Sequence, residues 1–131
     1  MTLEHPNWQY LDFTYGHFGR PIIDNRSIRV PVRDLWVSKG YPGHEQGQRY
    51  PSVIITFDDV VSSERGISEY GAPEERDGRR FYSIERNYTV TDGPFEELDR
   101  VTFTFYLGGI SYDPHGWIEW YIEAADFRIE V

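Results

Sequence analysis

Between Arg100 and Val131 large apolar and polar side chains change places almost residue by residue, and this two-residue period constrains the fold more than any other feature. Val101, Phe103, Phe105 and Leu107 stand on one parity, and Thr102, Thr104 and Tyr106 on the other. In extended backbone successive side chains point to opposite faces, so such a stretch has one apolar side. Ile118, Trp120 and Ile122 then alternate with Trp117, Glu119, Tyr121 and Glu123, and Phe127, Ile129 and Val131 with Arg128 and Glu130. A helix is disfavoured because residues 102–106 are all β-branched or aromatic, types that lose rotamer freedom in a helix and pack well on a pleated surface. The pattern predicts three strands, the first two paired as an antiparallel hairpin through the Gly- and Pro-containing segment 108–116. Phe103, Phe105, Ile118, Trp120, Phe127 and Ile129 are expected to form one wall of the core.

The same reading applies upstream. A first strand is expected near Trp8 to Tyr15 and another over Ser27 to Val32. Pro31 places that second strand at an edge or ends it, because proline cannot donate to a ladder. Residues 35–37 continue it after a bend. Residues 38–51 lack periodicity and carry Gly40, Pro42, Gly43, Gly47 and Pro51, so they read as an exposed loop. Val53, Ile54 and Ile55 suggest a strand buried on both sides. Short strands are expected around residues 67–70, 81–84 and 88–90, a solvated loop over 71–80, and a turn at Thr91-Asp92-Gly93-Pro94. Only residues 95–98 offer a brief helical possibility. Seven to nine strands in one domain spanning residues 1–131 predict an all-β fold, as an antiparallel two-sheet β-sandwich, with an open or closed β-barrel as the alternative.

Charge narrows the partners. With 22 acidic and 13 basic residues the formal net charge is -9, which repels nucleic acid and anionic membrane and favours a basic protein or a cationic ligand. The absence of cysteine excludes disulfides, thiol catalysis and thiolate metal sites. With no apolar stretch of membrane-spanning length and no secretory leader after Met1, a soluble, cytoplasmic protein is expected.

No constellation names a chemistry. Glu119 and Glu123 share a face with Trp117 and Tyr121, but residues four apart in a strand are roughly 13 Å apart, too far for a glycosidase pair. Asp58, Asp59 and Asp126 lack the spacing of a calcium loop, and His5, His17, His44 and His115 lack that of a zinc motif. No phosphate-binding loop or nucleophile elbow occurs. The expectation is a protein without catalytic residues, metal or cofactor. Trp117 and Tyr121 are expected to anchor a protein partner, and Glu119 and Glu123 to supply charge complementarity to it. The alternative is a carbohydrate-binding module stacking sugars on some of Trp8, Trp36, Tyr41 and Trp117, with a glycan-active enzyme as the third reading.

In its size, its acidity, its lack of a secretory signal and the style of segments 57–63 and 117–124, the chain resembles the small acidic β-rich proteins encoded beside bacterial toxins. The resemblance implies a cytoplasmic immunity protein that binds and neutralises a cognate toxin. It carries no motif and so assigns no residue.

Overall fold

The structure is a computed structural model that describes residues 8–38 and 46–131. One 3-10 turn, Trp8–Tyr10, precedes ten strands: β1 (Leu11–Asp12), β2 (His17–Phe18), β3 (Ile22–Ile23), β4 (Ser27–Val37), β5 (Gln48–Tyr70), β6 (Glu74–Arg76), β7 (Arg79–Phe81), β8 (Ile84–Asp92), β9 (Phe103–Tyr112) and β10 (His115–Glu130). Eight of them form a single mixed sheet, and β6 and β7 form a separate two-stranded ribbon.

The spine of this sheet is the antiparallel pair β5–β10, joined along almost the whole of β10. On its far edge β10 pairs with β9. On the other edge of β5 two partners follow one another: β4 covers residues 48–58 and β8 covers 63–70. The changeover coincides with a bulge, where Glu123 pairs with Ser62 but Ala124 with Val60, and with Asp59 at φ 52°. A bulge bends its strand and raises the local twist. The sheet therefore curls about its own apolar face, and β2 links β4 to β9 by two-residue pairings, the one to β9 parallel.

This corrects the expected architecture. The fold is all-β, but it is neither an antiparallel two-sheet sandwich nor a closed barrel. Eight strands pair into one continuous mixed sheet in place of two facing ones, and β5 and β10 continue unbroken, though bent at the bulge, where separate strands were expected. The third strand expected at the C-terminus is the continuation of β10, whose inward parity changes where Ala124 and Ala125 are both buried. The first hairpin is correct, with a shorter connection: β9 continues through Gly108 and Gly109, and only Asp113 and Pro114 separate it from β10.

Inside the curl lie Ile28, Val30, Val32, Leu35 and Val37 of β4, Val53, Ile55 and Phe57 of β5, Phe105 and Leu107 of β9, and Ile118, Trp120, Ile122 and Ile129 of β10. At roughly 1.5–3 kcal/mol for each large apolar side chain removed from water, this cluster supplies the main drive for folding. Phe103, expected in the core wall, is exposed, and Phe127 is only partly buried. Phe127 packs edge-on to Trp8 and Phe105, with Phe57 and Phe13 completing an aromatic cluster.

Two further expectations change. Pro31 lies inside β4 and ends nothing. Its carbonyl accepts from the Gly19 N–H at 2.9 Å, and in an antiparallel ladder a residue's donor and acceptor face the same side. The missing donor thus faces the gap between β2 and β3 and costs the β4–β5 ladder nothing. Residues 71–80 are no plain loop: β6 and β7 form a hairpin about Asp77 (φ 53°) and Gly78 (φ 71°), the two left-handed positions of a tight hairpin turn. Residues 95–98 form no helix.

Candidate functional site

Strand β10 lies between β9 and β5, so every second side chain along it projects onto the outer face of the sheet. Ile118, Trp120 and Ile122 point into the core, which leaves Trp117, Glu119, Tyr121 and Glu123 outside. Trp117 is 43% and Tyr121 52% exposed. Glu119 is exposed and Glu123, beside the bulge, half-buried.

Register adds residues the sequence could not assign. Ile110 of β9 is level with Trp117, Gly108 with Glu119, and Tyr106 with Tyr121. The Tyr106 and Tyr121 rings meet at 5.0 Å between centroids, a cross-strand aromatic pair of the kind that stabilises a sheet face. On the opposite side Ser68, Gly66 and Glu64 of β5 face Trp117, Glu119 and Tyr121, and Asn87, Thr89 and Thr91 of β8 continue these rows. Exposed Trp117, Tyr121, Tyr106 and Ile110 thus form one apolar strip bordered by Glu119, Glu64 and Glu123.

Glu119 is the only member of its row with a long side chain. Gly66 and Gly108 flank it, and two open hollows result, with Trp117 as the ridge between them. One, of about 390 Å³, is lined by Gly66, Ser68, Asn87, Thr89, Trp117 and Glu119. The other, of about 450 Å³, is lined by Phe13, Thr14, Tyr106, Gly108, Ile110 and Trp117. The Tyr106 ring lies over Gly108 so closely that a β-carbon there would collide with its hydroxyl. Burial raises the Tyr106 phenol above its usual range, with the neighbouring charge of Glu119 adding to the effect.

Beneath the face a polar network pins β10. The indole N–H of Trp120 donates to Ser63 Oγ at 2.8 Å, Ser63 donates to Asp92 at 2.6 Å, and Arg65 makes a two-pronged contact with Asp92 at 2.7 and 3.0 Å. Most arginines are likewise matched with carboxylates, including Arg49 with Asp34, Arg86 with Glu69, and Arg128 with Asp58. Glu64, Glu119 and Glu123 form no ion pair with the described residues, so none of those residues neutralises their charge.

Asp58, Asp59 and Asp126 do converge near the bulge, but Arg128 holds Asp58, and Arg26 and Arg100 hold Asp59. Burial raises the Asp58 carboxyl, with Asp126 and Asp59 nearby adding to the shift against the opposing pull of Arg128. Among the described residues no group of three or more acids and histidines is placed to hold a metal. His115 packs edge-on to Tyr82 at 4.8 Å and Tyr70 at 5.3 Å, while His17 lies on β2. His5, His44 and Tyr41 lie outside the described residues. The stacking residues considered for a sugar do not gather: Trp8 belongs to the aromatic cluster, Trp36 is on β4, and Trp117 is on β10.

Comparison with protein-family models, curated proteins and solved structures gives no match. The functional reading therefore rests on the face itself. What the arrangement offers is apolar contact area, ring faces and carboxylates that no described residue neutralises. Among the described residues no helix is long and apolar enough to cross a membrane.

Proposed function

We propose that this chain is a non-catalytic protein-binding domain that captures a cationic partner protein on the outer face of β9, β10 and β5. The observation that carries this reading is the coincidence of exposed Trp117, Tyr121, Tyr106 and Ile110 with Glu119, Glu64 and Glu123, carboxylates that pair with none of the described residues, on one side of the central strands. Aromatic anchors supply much of the energy of protein interfaces, and uncompensated charge steers an oppositely charged partner and speeds encounter. A cytoplasmic toxin-neutralising role, of the immunity type suggested by the chain's size and acidity, uses a surface of this kind against a basic toxin.

The test is affinity capture from the source cell with the chain as bait, beside a Trp117→Ala/Tyr121→Ala variant. The fold should survive, because both side chains lie outside the core, and far-UV circular dichroism should be unchanged. Capture of the stoichiometric partner should fall by roughly a thousandfold, since two anchors worth about 2 kcal/mol each together make about 4 kcal/mol. Undiminished capture by the folded variant would reject the assignment.

A further inference from the structure

We propose that the hollow between Trp117 and β8 is a guanidinium site, in which an arginine side chain of the partner lies against the Trp117 ring and is held by the Glu119 carboxylate. This deepens the protein-binding reading and rests on it, naming the side chain that the face selects.

The molecule itself supplies the pattern. Arg65 sits 5.1 Å from the Trp120 ring centroid and pairs with Asp92. Arg86 sits 4.5 Å from the Tyr88 ring centroid and pairs with Glu69 at 3.1 Å. In both places a guanidinium is shared between a ring and a carboxylate. Trp117 and Glu119 present the same two halves on the outer face, and no arginine of the described residues pairs with Glu119. Arg65 and Arg86, on the strands that form the hollow's far side, are already engaged.

Space for an incoming side chain exists because of Gly66. A β-carbon there would meet nothing nearer than the Glu119 backbone oxygen at 3.8 Å, so no packing requirement keeps the row empty. Ser68 donates to Asn87 Oδ1 at 2.7 Å, which leaves the Ser68 oxygen and the Thr89 hydroxyl as acceptors at the rim. Guanidinium suits this combination better than ammonium: it is planar, weakly hydrated, stacks on aromatic faces and offers a fork to a carboxylate.

The test needs no partner. Nα-acetyl-argininamide is titrated into the ¹⁵N-labelled chain while the Trp117 indole N–H, assigned with a Trp117→Phe variant, is followed by NMR. The expected result is a saturable shift with a dissociation constant on the order of 1–10 mM, absent with the uncharged isostere Nα-acetyl-citrullinamide. Glu119→Gln, an exposed change that spares the fold, should weaken binding about tenfold or more, the usual scale for losing a charged hydrogen-bond partner. Gly66→Leu should block the site without changing charge. No shift with argininamide, an equal shift with the citrulline analogue, or binding indifferent to Glu119→Gln would overturn the assignment. Occupation of the hollow by methyl glucoside in preference to argininamide would also overturn it. Capture that depends on Trp117 and Tyr121 while argininamide leaves Trp117 untouched would sink the guanidinium site alone. Argininamide binding without any such dependence would sink the protein-binding reading.

Discussion

Replacing Asp92 with alanine should be among the most damaging single changes in this protein. The Asp92 and Arg65 side chains are 5% and 13% exposed, so the pair belongs with buried ion pairs. Exposed pairs are worth about 0–1 kcal/mol, whereas removing one member of a buried pair costs about 3–5 kcal/mol because the other charge stays without compensation. Asp92→Ala also removes the acceptor of Ser63, the group that holds the Trp120 indole. Against a total stability of about 5–15 kcal/mol for a domain, a loss near 4 kcal/mol is severe. With a urea slope of about 2 kcal/mol/M, the unfolding midpoint should fall by about 2 M. The double variant Arg65→Met/Asp92→Leu removes both charges together and should recover most of that loss. A midpoint shift below about 0.5 M for Asp92→Ala, or a double variant as unstable as the single one, would refute the reasoning.

Two further outcomes follow from local geometry. Gly116→Ala would drive a β-carbon into the Ser68 carbonyl and to 3.0 Å from Glu69 Cα, both backbone atoms that cannot step aside, so it should cost about 2 kcal/mol or more; Gly66→Ala, with open space before it, should stay within about 1 kcal/mol by the same denaturation assay. Asp24 accepts from the Arg26 and Ser27 backbone N–H groups, which hold its carboxyl below the ordinary aspartate range, so its contribution is present above the unfolded-state value and is lost as pH falls through the native one. The stability gap between the parent and Asp24→Ala should therefore close in that acid window, and carboxyl NMR should find Asp24 titrating below an ordinary aspartate and Asp58 above one.

The alternation along residues 101–131 carried the extended backbone, the hairpin and the outward placement of all four nominated residues, because a period of two is a local property of extended backbone, but it divided β10 into two strands and put exposed Phe103 in the core wall. What it could not carry was register. Tyr106 was visible as an odd aromatic among threonines, but its place beside Tyr121 depends on β9 running through Gly108 and Gly109 to a two-residue connection, where paired glycines read as a turn. Glu64, Ser68 and Asn87 join the face only through the β10–β5–β8 pairing, which spans large sequence separations. The sandwich was the wrong architecture because Asp58-Asp59 and Ser62-Ser63-Glu64 look like breaks between strands. In the structure they lie within β5, where a bulge and the left-handed Asp59 bend a continuous strand. The Asp77-Gly78 hairpin was the one legible turn that its charged surroundings concealed.

The proposed binding surface exists only if β10 presents Trp117 and Tyr121 to solvent while Trp120 is sealed beneath them. Paramagnetic broadening of the four indole N–H signals by a neutral, soluble gadolinium chelate tests this directly. Trp117 and Trp36 should broaden strongly, Trp8 less, and Trp120, fully buried and bonded to Ser63, hardly at all. A protected Trp117, or a Trp120 that broadens as readily, would contradict the outward face and the binding surface built on it.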